Sequence, residues 1–121
     1  MPGTVLVVED EADLADLLTE VLESAGYDVV LTTGSRAAER SVAVAPVAVI
    51  TDYMMPGLNG EQVVRDIRSK SNSARMPVLL VTGLSNAHEL ARTMGADAYL
   101  RKPFDVDSFI SIVHRLTGTS G

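Results

Sequence analysis

Acidic residues follow two apolar stretches of the chain, at the point where each stretch ends. Residues 5–8 are followed by Glu9 and Asp10, and residues 47–51 are followed by Asp52. Such runs are typical of buried strands in a parallel sheet, whose carboxyl ends share one edge. Carboxylates held close together there repel one another unless a cation joins them. Mg²⁺ is the favoured cation, because it accepts a few carboxylates while keeping waters and a substrate phosphate.

Two further apolar stretches end in residues that can bind a phosphate. Residues 78–81 lead to Thr82, and residues 98–100 lead through Arg101 to Lys102. A lysine ammonium can hold one phosphoryl oxygen as a point charge, and a threonine hydroxyl can donate to another. Together with a metal ion, these groups neutralise a transferring phosphoryl group. The pattern therefore predicts that Asp52 is a nucleophile that forms an aspartyl phosphate.

Each of these residues also has an ordinary structural interpretation. Acids before a helix stabilise the helix dipole, and an Asp or Thr at a strand end often forms a turn or cap. Lys102 precedes a proline and would normally lie in a solvated loop. The chemical hypothesis therefore depends on the joint pattern, in which each group falls at the carboxyl end of a predicted strand.

Five strand–helix units are predicted along the chain. Asn59 with Gln62 and Asn86 with Glu89 form candidate capping boxes, and Asp105 is a candidate cap for the last helix. The alternation predicts one α/β domain with a doubly wound parallel sheet covered by helices on both faces. The predicted strands are 5–8, 27–32, 47–51, 78–81 and 98–100; the predicted helices are about 14–25, 35–44, 59–70, 86–94 and 105–116.

Composition excludes several classes of protein. The chain has 121 residues, of which 46% are hydrophobic, so a single domain with its own core is expected. It contains no cysteine, which excludes disulfides and thiol catalysis. A net charge of −6 argues against nonspecific binding to nucleic acid. Because no apolar run approaches the length of a membrane span or signal-peptide core, we expect a soluble, cytoplasmic chain without membrane contact.

The combined motifs resemble the receiver domain of two-component response regulators. The resemblance implies a flavodoxin-like sheet with strand order 2-1-3-4-5. It covers residues 4–117 of a single domain that spans 1–121, with 118–121 as a tail. The matching segments are VLVVEDE at 5–11, TDYMMPGLNG at 51–60, VTG at 81–83 and GADAYLRKPF at 95–104.

The resemblance also implies which residues accept the phosphoryl group and bind the metal. Asp52 would take a phosphoryl group from a phosphohistidine on a sensor kinase or histidine phosphotransfer protein. Asp10 and Asp52 would bind Mg²⁺ directly, Glu9 would act through water, and the backbone carbonyl of Met54 would complete the protein ligands. The chain would then be a switch that catalyses only its own phosphorylation and dephosphorylation, not an enzyme acting on other substrates.

The remaining site residues would connect phosphorylation to the surface. Lys102 and Thr82 would contact the phosphoryl oxygens, and Tyr99 would be the switch aromatic that moves inward when Thr82 moves toward the phosphate. The Lys102–Pro103 bond is expected to be cis. The altered surface would comprise the helix after Thr82, the strand at Tyr99 and the last helix, and it would contact a downstream protein target. A monomer or weak dimer is expected.

Two departures from the family pattern carry expectations of their own. The segment from Thr82 to Lys102 is two residues shorter than expected, so its loop and helix should be shortened or poorly ordered. Met54 and Leu84 are apolar where a polar side chain could position an attacking water. We therefore expect a long-lived phosphorylated state.

A few residues have no predicted role in the chemistry of the site. Ile112 and Leu116 either contact a partner or close the core. Tyr27, His88 and His114 are expected to be packing or surface residues rather than metal ligands.

Other functions fit the residues less well. An aspartate-nucleophile phosphatase would need a second Asp at the position of Met54. A flavin-binding protein would need a hydroxyl- and glycine-rich phosphate loop at the position of Glu9 and Asp10. A degenerate receiver acting as a constitutive interaction module remains an alternative. So do a free-standing regulator and a receiver excised from a hybrid histidine kinase.

Overall fold

Five parallel strands form the central sheet of the computed structural model, which describes residues 3–70 and 76–118. Their order is β2-β1-β3-β6-β7. Counting only the strands of this sheet, that is the order 2-1-3-4-5 implied by the family resemblance. The strands are β1 (Thr4–Val8), β2 (Asp28–Thr32), β3 (Ala48–Thr51), β4 (Met54–Met55), β5 (Leu58–Asn59), β6 (Val78–Thr82) and β7 (Ala98–Arg101); the helices are α1 (Ala12–Ser24), α2 (Ala37–Val44), α3 (Gly60–Lys70), α4 (Ala87–Met94) and α5 (Val106–Thr117).

The sheet is covered on both faces, as predicted. Residues 5–8 of β1 are completely buried, and alternate residues enter opposite core clusters. Val5 and Val7 pack with buried residues of α1 and α5, whereas Leu6 and Val8 pack with those of α2, α3 and α4. This two-sided burial explains why the strand has no polar side chain between Thr4 and Glu9.

Two of the three predicted helix caps are confirmed. The Asn59 and Gln62 side chains each accept a hydrogen bond from the other residue's backbone N–H, at 3.0 and 2.8 Å respectively. The Asp105 carboxylate accepts hydrogen bonds from the backbone N–H and the hydroxyl of Ser108, which lower its pKa. The predicted cap at Asn86 is wrong, because its side chain makes no capping hydrogen bond and α4 begins uncapped.

The structure differs from the predicted elements in three places. Residues after Asp52 form a short antiparallel hairpin, β4–β5, in a segment without a predicted strand or helix. The helix predicted from residue 35 begins as a 3₁₀ turn, Gly34–Arg36, before α2. Tyr27 precedes β2 instead of opening it, and its buried hydroxyl lies 2.8 Å from His114 Nδ1 and from Thr117 Oγ1. Tyr27 and His114 are thus packing residues, as expected.

The shortened segment after Thr82 retains an ordered helix. α4 has eight residues and ends at Gly95, whose φ of 75° fits the left-handed cap that glycine adopts readily. Residues 71–75, which follow the helix predicted at 59–70, and residues 119–121 of the predicted tail lie outside the described residues. Within residues 3–70 and 76–118, no helix is long and apolar enough to span a bilayer.

Gly60 allows the start of α3 to pack against the backbone that carries Asp52. Its N–H donates to the carbonyl of Tyr53 at 2.6 Å. A Cβ at residue 60 would lie 2.8 Å from the Asp52 carbonyl oxygen and 3.0 Å from Cε of Met94. The methionine methyl can move, but the backbone carbonyl cannot move without displacing the loop that holds the carboxylate.

We predict that Gly60→Ala lowers the free energy of unfolding by about 1–3 kcal/mol, the usual cost of forcing a methyl group into a packed site. Equilibrium urea denaturation measures the change. Gly83→Ala is the matched control, because a Cβ there meets nothing within 4 Å. Equal stability of the two variants would contradict this account of Gly60.

Candidate functional site

Asp52 and Lys102 are paired at the carboxyl edge of the sheet, although 50 residues separate them in sequence. Asp52 directly follows β3, and Lys102 directly follows β7. The Lys102 Nζ donates to Asp52 Oδ2 at 2.9 Å, and the two side chains are 25% and 14% exposed. Asp52 Oδ1 accepts a hydrogen bond from the Tyr53 N–H at 2.6 Å. Both carboxylate oxygens are therefore fixed in place.

Thr82 lies between these two residues in the order of strands. It ends β6, the strand between β3 and β7, and it is 1% exposed. Its carbonyl accepts from the N–H of Lys102 at 2.8 Å, and its hydroxyl accepts from the N–H of Leu84 at 3.3 Å. The bond between Lys102 and Pro103 is cis, as the resemblance implies.

Glu9 and Asp10 leave β1 beside Asp52, because Val8 is in register with Thr51. The pKa of Glu9 is raised chiefly by burial, and the negative charges of Asp52 and Asp10 raise it further. A hydrogen bond from the Glu11 N–H and the positive charge of Lys102 act in the opposite direction. The three carboxylates and the lysine are therefore close enough to influence one another electrostatically.

The oxygen ligands at this edge are of the type that Mg²⁺ prefers, although the side chains alone do not complete a coordination sphere. Among the described residues, no three acidic or histidine side chains are grouped closely enough to hold a metal by themselves. Burial and the repulsion between carboxylates disfavour the charge on Glu9, and a divalent cation would relieve that repulsion. Two carboxylates, a carbonyl and waters suit Mg²⁺.

Met54 and Tyr99 lie at the margin of the site. Met54 opens the β4–β5 hairpin two residues after Asp52, and its side chain is 65% exposed. Tyr99, on the outer strand β7, is 41% exposed. Ile112 and Leu116, the two candidate partner contacts, instead pack against the core cluster beneath α5. The interpretation that they close the core is therefore the better one.

Sequence reasoning missed two contributions to the site. Gly60 was not identified as a residue that positions Asp52, although a glycine directly after the cap Asn59 was a usable signal. His88 was assigned to packing or surface, yet its ring centroid lies 5.5 Å from that of Tyr99. Its sequence position gives no signal of that contact, because the two residues lie on different elements.

The fold and the Asp52–Lys102 pair together define a class of protein: a doubly wound α/β domain with a charged site at the carboxyl ends of its strands. The sequence model of a protein family, the response regulator receiver domain, matches residues 5–114 of this chain. The chain therefore belongs to the response regulator receiver domain family, whose role is phosphorylation-dependent signalling in two-component systems. The predicted family and fold are confirmed.

Individual relatives agree with this membership. A DNA-binding dual master transcriptional regulator of Synechocystis, RpaA, is 33% identical over 115 residues, which are 93% of this chain and 48% of that protein. The chain spans about half the length of the curated relatives it matches. The similarity to such regulators therefore concerns their receiver part.

Solved structures share the fold over nearly the whole chain. A putative response regulator from Chloroflexus aurantiacus has a TM-score of 0.90 at 30% identity, covering 98% of this chain and 99% of that one. The receiver domain of the sensor histidine kinase PA1611 from Pseudomonas aeruginosa has a TM-score of 0.86 at 29% identity, covering 96% and 98%. That receiver holds a magnesium ion coordinated in its active-site cleft.

The raised pKa of Glu9 predicts how its charge affects stability as pH changes. Because the folded-state pKa lies above the ordinary value of 4.5, the stability that Glu9 contributes is present below that value and is lost as pH rises through the folded-state pKa. Glu9→Gln should therefore raise the melting temperature at pH 7 without Mg²⁺, and the gain should vanish below about pH 4.

Circular-dichroism melts between pH 3.5 and 7.5, with and without Mg²⁺, measure this effect. Glu23→Gln, an exposed acid on α1, is the control for a general loss of charge. Mg²⁺ should stabilise the wild type more than Glu9→Gln. A Glu9→Gln variant that is less stable than wild type at pH 7 would contradict the electrostatic assignment.

Proposed function

We propose that this receiver domain accepts a phosphoryl group on Asp52 from a phosphohistidine of a sensor kinase or histidine phosphotransfer protein. The observation that carries the proposal is the 2.9 Å contact between Lys102 Nζ and Asp52 Oδ2. A carboxylate held beside a lysine at this edge has its nucleophilic oxygen and its charge-stabilising group already in place. Such preorganisation is most of what phosphoryl transfer needs from a protein.

The transfer step forms one bond and breaks another. A carboxylate oxygen of Asp52 attacks the phosphorus, and the O–P bond forms as the N–P bond of the phosphohistidine breaks. The electron pair of the N–P bond stays with the ring nitrogen of the donor. The phosphorylated Asp52 carboxyl group no longer carries a full negative charge. Lys102 therefore moves its hydrogen bond to the phosphoryl oxygens, which are now the stronger acceptors.

The other site residues complete the stabilisation of charge. Asp10, Asp52 and the carbonyl of Met54 would hold Mg²⁺, with Glu9 acting through water. Bound there, Mg²⁺ supplies positive charge that neutralises phosphoryl oxygens. The Thr82 hydroxyl, which accepts from Leu84 N–H in the unphosphorylated domain, can rotate to donate to a phosphoryl oxygen.

Phosphorylation then favours a second conformation of the domain. New hydrogen bonds from Thr82 and Lys102 exist only when the phosphoryl group is present, so they stabilise one state selectively. Tyr99, exposed on β7, would move inward as Thr82 moves toward the phosphate. The changed surface of α4, β7 and α5 would be read by a downstream protein. The domain thereby catalyses only its own phosphorylation and dephosphorylation.

The setting of the domain in a whole protein follows its relatives. RpaA has the length for a receiver plus a DNA-binding part, whereas PA1611 carries its receiver in a sensor histidine kinase. Either setting uses the same chemistry at Asp52. The output and the cognate kinase would depend on the parts of the protein attached to this domain. The domain itself would be cytoplasmic in either setting, as expected from the sequence.

We predict that a small phosphodonor such as acetyl phosphate adds one phosphoryl group to the wild type in the presence of Mg²⁺. Asp52→Asn should abolish the addition, because an amide oxygen cannot form the acyl phosphate. Intact-protein mass spectrometry measures the product. Asp16→Asn, an exposed acid on α1, is the matched control and should label normally. Labelling of Asp52→Asn equal to wild type would refute the assignment, and a wild type that never labels would favour a constitutive interaction module.

We also predict a phosphorylated state that persists for minutes or longer, because Met54 and Leu84 are apolar and neither can orient an attacking water. Met54→Asn should shorten the lifetime severalfold, and Met54→Leu should leave it unchanged. Loss of the phosphoryl group is followed by Phos-tag electrophoresis after removal of the donor. Decay of the wild type within seconds would overturn this expectation.

A further inference from the structure

Tyr99 and His88 form an aromatic pair at the surface between β7 and α4. Their ring centroids are 5.5 Å apart, with ring planes tilted by 30°. The side chains of a strand alternate between the faces of the sheet. Ala98 and Leu100 pack into the core cluster beneath α1 and α5, so Tyr99 lies on the opposite side, beside α4. His88 is thus the aromatic residue against which the outward ring of Tyr99 rests.

The position of His88 gives this contact influence over α4. His88 is the second residue of the helix, and the helix has only eight residues. Asn86, directly before the helix, provides no side-chain cap. Buried Ala87 and the ring pair connect this first turn to the rest of the domain. Because His88 belongs both to the ring pair and to the first turn of α4, movement of Tyr99 would also loosen the start of this helix.

The same segment is linked directly to Thr82. The Thr82 hydroxyl accepts from the N–H of Leu84 at 3.3 Å, four residues before His88. Rotation of that hydroxyl toward a phosphoryl group would remove a hydrogen bond from the loop that leads into α4. One continuous path therefore joins the site edge, the loop, His88 and Tyr99.

We propose that His88 is a positioning residue that holds Tyr99 outward in the unphosphorylated domain and so opposes the switch. This inference depends on the proposed function, because it assigns His88 a role in the conformational change that phosphorylation favours. Phosphorylation must separate the two rings before Tyr99 turns inward. Removing the ring at residue 88 shifts the two-state equilibrium toward the active conformation by roughly 2- to 10-fold, the effect of one aromatic pair.

The test uses beryllofluoride, a stable mimic of the phosphoryl group, with Mg²⁺ and protein carrying ¹³C-labelled tyrosine rings. NMR follows the ring resonances of Tyr99, assigned with Tyr99→Phe. In the unliganded state of His88→Ala, these resonances should lie closer to their beryllofluoride-bound positions than in wild type. The apparent affinity of His88→Ala for beryllofluoride should rise roughly 2- to 10-fold, by the same equilibrium shift.

Two further variants separate the ring contact from general effects on the helix. His88→Phe retains an aromatic ring and should restore the wild-type resonances and affinity. Glu89→Ala changes the neighbouring exposed side chain of α4 and should behave like wild type. Should His88→Ala fail to fold, His88→Leu, which removes the aromatic character but keeps bulk, is measured in the same way and should resemble the expected alanine result.

The outcomes distinguish this inference from the proposed function. If beryllofluoride moves Tyr99 in wild type but His88→Ala matches wild type in resonances and affinity, the role of His88 is refuted while the proposed function stands. Rescue by His88→Leu as complete as by His88→Phe would also refute a contact that requires an aromatic ring. If wild type binds no beryllofluoride, the proposed function fails and this inference fails with it.

Discussion

The ion pair between Asp52 and Lys102 is the interaction on which the rest of the site depends. These residues leave β3 and β7, which are not neighbours, so Lys102 must reach across the end of β6. Thr82, at that end, accepts a hydrogen bond from the Lys102 backbone and sets the starting point of the side chain. β6 and β7 end at the same level, since Thr82 is in register with Arg101, and β3 ends two residues earlier, since Thr51 is in register with Leu80.

The pair is partly withdrawn from water, and this explains how it can respond to a change of charge. Ions that are largely desolvated interact strongly, but each is costly to leave without a partner. In the proposed reaction, the negative charge on the Asp52 carboxylate would be replaced by charge on the phosphoryl oxygens, and the Lys102 ammonium would move its hydrogen bond to them. The raised pKa of Glu9 has a related cause, because burial and the nearby negative charges of Asp52 and Asp10 disfavour its charged form. Negative charge is therefore concentrated at this edge of the sheet, and the positive charge of Lys102 or of a bound metal ion reduces the repulsion.

The framework of the site could be predicted from sequence because it depends on local signals. Buried strands such as residues 5–8 have no polar residue to interrupt them, and their ends coincide with Glu9, Asp52 and Thr82. The Asn59–Gln62 cap was predictable because both partners lie within one turn.

What the sequence did not predict depends on short elements or on tertiary packing. The two-residue strands of the β4–β5 hairpin are too short to show a periodic pattern. The pairing of His88 with Tyr99 joins α4 to β7. The capping potential of Asn86 is not used, because its backbone, at φ −96° and ψ 34°, is not in the extended conformation typical of an N-cap residue.

The most direct test is a crystal structure of the domain with Mg²⁺ and beryllofluoride. We predict that beryllium is bonded to an Asp52 carboxylate oxygen, with Lys102 Nζ and Thr82 Oγ1 each within about 3.2 Å of a fluorine, the range of a hydrogen bond. Beryllofluoride bound at another residue, or Lys102 directed away from it, would contradict the central role of the Asp52–Lys102 pair.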